Sequence, residues 1–458
     1  MGIRMGSAQF MYNYQHALNN AYQNQAKLYE QADGSSIHRP SDNPMNYSKL
    51  LRHKVNDHEN EQYRANVKAA ASWMNNSDAV MIHMTDIMKT IEEKSVSAAD
   101  EHNTQVDCEA IYKEMFSNMQ ELIASANTQQ GDRYLFAGQK DLTQPFSLSV
   151  DDRQRGLPKT LDRAQSNFFK PDSAGTNTKL VQMLTLEKDG ETFYLDTQTL
   201  NIYSKELVDT KYKDLMSMGY ESITEAADAY DAARSAGTLN NLDPAFLKIF
   251  ESGTAQGKLT DANFKVSDYF DNQGCLTGGN TIDGDGGTYT FTTITQRIVS
   301  YNGDENLISM VKLNGATDPA SDTVNSTGAR MFGTDIFDDA DSGNTASGTA
   351  MLNELLCVCS KTQAGDLKWM SSDGVTITDV SHSRLLVEET RIGARRQLYE
   401  SVETMLEAHA DNITEDINNV SGTDISRLAT RLMELTTLYN MSLSMGGRIL
   451  PQSLADYL

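Results

Sequence analysis

The stretch "DGDGG", Asp283 to Gly287, sets two carboxylates two residues apart among glycines, which is how a calcium-binding loop opens. The twelfth position of such a loop must supply a bidentate Glu, and here it is Ile294. A Gly-rich hairpin turn before a Thr-rich strand is the reading that fits. Cys357 and Cys359, in "CVC", could hold a soft metal, but no second Cys or His pair stands near them to complete four ligands. They read as two small apolar residues facing into a helix packing. His53 and His58 are five apart and miss the i, i+4 spacing of a helical zinc pair. HExxH, GxSxG, the P-loop and GxGxxG are all absent. The expectation is a protein that is not an enzyme and that carries no metal and no cofactor. A binding or enzymatic domain in the middle of the chain stays open, because loop sites need not be contiguous in sequence.

What these residues leave unused is a large body of helix-forming sequence. The chain has 458 residues, 39 basic and 63 acidic side chains, and a net charge of −24, which argues against a nucleic-acid or anionic-membrane partner. Residues 1–144 carry −5 and residues 381–458 carry −4, so residues 145–380 hold −15 and read as a solvated, self-repelling face. No window approaches the roughly 20 apolar residues of a membrane span. The opening "MGIRMGSAQF" lacks the apolar core of a cleavable signal, and four cysteines make no disulfide framework. A cytosolic protein fits these facts, and so does one exported by a route that reads no cleavable signal.

Breakers show the organisation. No Pro occurs from Met45 to Gln144 or from Ala320 to Leu450, and no Gly from Met45 to Gln130. Ser41, Asp42 and Asn43 are N-cap candidates ahead of Pro44, where a long helix should begin. Val67, Met74, Met81 and Met88 repeat by seven, with Ala70, Ser77, Met84 and Ile91 between them, a two-stripe heptad. Its methionines read as adaptable helix packing. A second seam runs through Tyr112, Met115, Met119, Leu122 and Ala126, followed by "GDRYLFAG", whose glycines bracket a strand or hairpin. Toward the other end Leu385, Ile392, Tyr399, Leu406, Ile413 and Val420 form one stripe of about 36 residues. Gly422 interrupts it, and Thr423 or Asp424 can cap a last helix with the seam Ile425, Leu428, Leu432, Leu435 and Tyr439.

That last helix mirrors the first, "GSAQFMYNYQHALNNAYQNQAKLYEQ", whose seam is Met11, Tyr14, Leu18, Ala21, Gln25 and Leu28 in an otherwise Gln- and Asn-rich segment. Helices with so thin a seam are marginal in water and need a partner. The two termini are candidates for each other and for neighbouring copies, folding on assembly; an ordinary intramolecular coiled coil is the alternative. Between the flanks, "GETFYLDTQTLNIYS" and "GGTYTFTTITQRIVSYNG" suggest strands, and "ESITEAADAYDAARSAG" and "FLKIFESG" helices, so the middle reads as an α+β or β-rich insertion.

Four pieces in order, "RPSDNP" (with Arg39, Pro40, Asp42, Pro44), "DRYLFAG" (with Arg133, Tyr134, Phe136, Gly138), "RIGARRQLYE" (with Arg391, Ile392, Gly393) and the closing "SLADYL" (with Leu454, Tyr457, Leu458), resemble the flagellin family, and within it the hook-associated branch. A weaker echo is "FGTDIFDD" before "MLNELLCVCS". "ADGSSIHRPSDNP" departs from the family pattern at Ser36, Ile37 and His38, where a basic residue and small polar ones are more usual. The resemblance implies mainly α flanks forming a long, flagellin-like coiled-coil helix bundle around a central insertion. Residues 1–40 with 423–458 would make a terminal coiled-coil domain. Residues 41–145 with 381–422 would make a helical rod domain with a hairpin, and 146–380 a variable surface-exposed insertion of one or two subdomains. It further implies a structural, extracellular subunit, exported without a cleavable signal. Its partners would be copies of itself in a ring, an adjacent hook-associated protein, flagellin and an export chaperone, with no nucleic acid and no membrane. Within the family a subunit at one fixed position and a filament-forming flagellin both remain open, and "ILPQ" near the end is also reminiscent of flagellin.

Overall fold

The breaker-free N-terminal flank becomes a single 55-residue helix, α2, Pro44–Ala98. Asn43 caps it by accepting from the Asn46 amide at 3.1 Å, and Pro44 fills the first position, where an N–H would go unused. The computed structural model describes residues 7–171, 180–251, 255–308, 323–338 and 348–449. They belong to two compact units, Met1–Lys68 with Glu400–Leu458, and Ala69–Tyr399.

The first unit is helical. α1 (Ser7–Glu30) runs antiparallel to α12 (Ile425–Ile449), and the first part of α2 runs beside the last part of α11 (Val375–Ser421). Gly34, at φ 89°, turns the chain after α1, and a bridge joins Ser35 to Gly422. Asp424 accepts from the Ser426 and Arg427 amides at 2.9 and 3.1 Å, so it is the cap of α12. Between α2 and α11, Asn60 donates to the Leu406 carbonyl at 3.1 Å and Arg64 reaches Glu407 at 3.3 Å.

The second unit is built around the two-stripe heptad. Met74, Ser77, Met81, Met84, Met88 and Ile91 are all buried, as are Met115, Met119, Leu122 and Ala126 of α3 (Gln105–Ala126). Thr104 and Asp107 form the capping box that restarts the helix after the polar break. α9 (Ala350–Ala364) packs against α3 and contributes Leu352, Leu355, Leu356, Cys357 and Cys359 to the same core; both cysteines are buried apolar residues, as expected. β1 (Gln129–Gln130) and β2 (Arg133–Tyr134) form the expected hairpin, with Gly131 left-handed at φ 63°. β3 (Phe146–Leu148), β4 (Arg153–Gly156) and β5 (Pro158–Thr160) lead, through α4 (Arg163–Phe169), into a larger antiparallel sheet.

That sheet holds β6 (Gln182–Lys188), β7 (Glu191–Leu195), β8 (Asn201–Ser204) and β9 (Ala255–Lys258), with β10 (Thr281–Gly284) and β11 (Gly287–Phe291) beyond β6. β5 and β11 share one edge of β6, while β12 (Thr293–Gln296) pairs β4 and β13 (Val299–Tyr301) pairs β3. One face, with Met183, Tyr194 and Tyr203, meets α4, α5 (Tyr212–Ser217), α6 (Ile223–Ala236) and α7 (Pro244–Glu251). The other, with Leu184, Leu186, Phe193 and Ile202, packs on Phe270, Phe291 and Phe337. The β10–β11 turn is "DGDGG": Asp283 accepts from Thr288 Oγ1 at 2.7 Å within the hairpin, and Asp285 accepts from the Lys258 amide at 3.1 Å and ties the turn to β9. α8 (Gly328–Phe332) and the single turn α10 (Leu367–Trp369) complete the unit.

Two expectations need correction. α11 is 47 residues long rather than about 36, because its buried stripe extends back through Ser381, Thr378 and Ile377, two of which are polar and hide the period. The acidic middle is also not simply a solvated face. Arg155 is fully buried between Asp335 at 2.6 Å and Glu354 at 3.4 Å, and Glu354 also accepts from Thr160 at 2.9 Å. Lys159 is buried against Asp373 and Asp209, and Lys170 against Asp196 at 3.1 Å. Burial raises the pKa of both Asp335 and Glu354, that of Asp335 to about 7, against the opposing pull of the Arg155 guanidinium they share.

Candidate assembly surface

A helix stays folded mainly through its buried face, and α1 has almost none: no described side chain of it is buried. Tyr14, Leu18, Ala21, Gln25 and Leu28 are half-buried, in the expected register, while their neighbours are exposed. Tyr14 donates its hydroxyl to the Ser442 carbonyl at 2.6 Å, and Gln25 donates to Thr436 Oγ1 at 3.3 Å. On α12, Leu432, Leu435 and Tyr439 are half-buried and Leu428 is 6% exposed, the one buried side chain among those described there. Ile425 is a correction: expected on the seam, it lies in the first turn and is 71% exposed. The Met11 side chain and all of Leu454, Tyr457 and Leu458 lie outside the described residues.

The outward side of the pair is the part that sequence reasoning missed. Tyr12, Tyr22 and Tyr29 on α1, and Met433, Leu438, Met441 and Leu443 on α12, are large, apolar and exposed, Met433 at 73%. The i, i+7 spacing of Tyr22 and Tyr29 was the available signal. The first part of α2 adds Leu51, Val55 and Tyr63. Such a surface gains free energy when covered by another protein.

The "RPSDNP" residues shape the loop before α2. Asp42 accepts from the His38 and Arg39 amides at 3.1 and 2.9 Å, bonds that hold its carboxyl below the usual range. Asp33 is lowered likewise, by the Ser35 amide and then by His38, whose Nε2 is 2.8 Å away. Arg39 pairs with Glu30 at 2.8 Å in the open, and Pro40 is exposed. His53 lies 3.8 Å from Asp416, and His58 is solvated.

In the second unit, Arg133 pairs with Asp141 at 3.2 Å, half-buried Tyr134 donates its amide to the Asp141 carbonyl at 2.7 Å, and Phe136 is wholly buried. Gly138 is required: at φ 70°, a Cβ there would lie 2.1 Å from Asp304 Oδ1. Ile392 is buried, and Arg391 pairs with Glu388, which also accepts from Ser326. Nothing in the packing demands a glycine at 393, where a Cβ would meet Asp78 at 3.7 Å, an ordinary contact. No group of His, Cys, Asp and Glu among the described residues is arranged to hold a metal ion.

Residues 8–141 match the family model of the bacterial flagellin N-terminal helical region. This span runs from α1 through α2 and α3 to the hairpin, and there the flagellin resemblance seen in the motifs holds. No curated protein matches the sequence. Among solved structures, the chain is similar to flagellar hook associated protein-3 from Legionella pneumophila at 11% identity, over 81% of this chain and 98% of that one, with a TM-score of 0.36. It is also similar to FlgL from Xanthomonas campestris at 10%, over 79% and 98%, with a TM-score of 0.34. FliC from Burkholderia pseudomallei follows at 11%, over 72% and 99%, with a TM-score of 0.23. Likeness at that level assigns no function to this chain. No helix among the described residues is long and apolar enough to cross a membrane.

Proposed function

We propose that this protein is a structural subunit of the bacterial flagellum, a hook–filament junction protein whose copies form a ring that joins hook to filament and seats the first flagellin. The carrying observation is an α1 that has no buried side chain among those described and lies in the span that matches a flagellin region, paired with an α12 that shows apolar residues on its outward side. Met11, Tyr14, Leu18 and Leu28, with Leu428, Leu432 and Leu435, form the inner seam of the pair. Ile425, Leu454, Tyr457 and Leu458 extend the contact to neighbouring copies. In this reading the termini complete a coiled-coil bundle on assembly, residues 41–145 with 381–422 form the packing rod, and 146–380 face outward. The subunit is met by an export chaperone and acts outside the cell; its neighbours are an adjacent hook-associated protein and flagellin.

The matching family model is that of flagellin itself, which favours a second reading as a filament subunit. Antibody-labelled electron microscopy of isolated flagella separates them. Label confined to the narrow zone between hook and filament supports the junction role. Label along the whole filament establishes the second reading, and unlabelled flagella overturn both.

A further inference from the structure

Four lysines converge on one cleft in the acidic middle of the chain. The cleft, of about 210 Å³, lies where β5, β6 and β7 of the large sheet meet the α9–α10 turn. Lys159 is at its floor, neutralised by Asp373 and Asp209. Lys361 is on its wall, 2.9 Å from Asp366 and over the Trp369 ring at 5.6 Å. Lys205 and Lys368 also line it, half-buried and exposed respectively; no carboxylate of a described residue lies within ion-pair distance of either, and Lys205 acts on Asp366 only from further off. The sheet side adds the hydroxyls of Thr192 and Thr292 and the carboxylate of Glu187.

We propose that this cleft binds a small hydroxylated organic anion, of the size and chemistry of one acidic sugar ring. The two ammonium groups without an ion-pair partner supply charge-assisted donors for a carboxylate. Glu187 and the threonine hydroxyls supply acceptors and donors for ring hydroxyls. Because each of the other two lysines is already balanced, the cleft is not a general anion trap: it presents cations at one place and acceptors at another. The volume is below the roughly 300 Å³ at which sites for drug-sized ligands begin, which limits the occupant to one ring.

The test is ligand-observed NMR titration of the full chain with glucuronate, with glucose and with inorganic phosphate. Saturable binding of glucuronate, no binding of glucose, and at least about tenfold weaker glucuronate binding by Lys205→Ala/Lys368→Ala are expected. Both side chains reach solvent, and Lys368→Ala alone, at an exposed position, should show the same direction should the double variant fold poorly. Equal binding of glucuronate and glucose, unchanged affinity in the lysine variants, or phosphate binding as tightly as glucuronate would each overturn the proposal.

Discussion

Leu432→Asp separates a surface built for assembly from one built for the subunit alone. Leu432 is half-buried on α12, and the partner of α12 in the subunit is α1, which has no buried side chain among those described. Full burial of a leucine contributes about 1.5–3 kcal/mol, so half of it is about 1 kcal/mol, to which the poorer helix propensity of Asp adds roughly 0.5 kcal/mol. That loss falls on the terminal pair. The main thermal transition, carried by the Ala69–Tyr399 unit, should move by about 2 °C or less. Met119→Ala is the counterpart: this side chain is wholly buried between α3 and its neighbours, and its loss should cost about 2–5 kcal/mol. Calorimetry of the purified variants, with complementation of filament attachment in cells lacking the gene, reads both quantities. Leu432→Asp should abolish attachment with the main transition in place, and Met119→Ala should lower that transition by several degrees. If Leu432→Asp depresses the main transition as far as Met119→Ala does, the terminal pair is part of a preformed core and the reasoning fails.

Further outcomes concern the second unit. Gly138→Ala should destabilise by about 2–5 kcal/mol in chemical denaturation, since it combines left-handed backbone strain with a clash against Asp304. Arg155→Met leaves Asp335 and Glu354 buried without their cation and should cost about 3–5 kcal/mol in the same assay. For pH dependence, burial, reinforced by Asp338 and opposed by Arg155, pushes the Asp335 carboxyl from 3.8 up to about 7, so the folded state holds this proton more tightly than the unfolded one. The stability it contributes is complete below the unfolded value and is lost as pH rises through about 7. Asp335→Asn should therefore flatten the fall in denaturation midpoint between about pH 4 and 7.

What could be seen in the sequence depended on whether burial was one-sided. The heptad of α2, the seam of α3 and the stripe at Leu385, Ile392 and Tyr399 each bury one face, so their period survives in the residue types. β6, "QMLTLEK", is covered on both faces, Met183 by the α4–α7 side and Leu184 by the phenylalanine cluster, and therefore shows no clean alternation. The start of α11 was hidden because buried Thr378 and Ser381 stand in its stripe. Arg155, Asp335 and Glu354 are up to 199 residues apart, and no local pattern announces that they meet. The candidate assembly surface was half legible: the inner seam follows the helical period, whereas Tyr12, Tyr22, Met433 and Met441 lie among polar neighbours on the outward side.

The central claim is that the terminal helices have little stability of their own before assembly. Hydrogen exchange of the purified full-length subunit, followed by mass spectrometry, tests it most directly. The amides of α1 and α12 should exchange close to the rate of an unstructured chain, while those of α3 and α9, packed in the main core, stay protected by several orders of magnitude. Protection of α1 and α12 equal to that of α3 and α9 would contradict the claim and make the pair an ordinary folded element of the subunit.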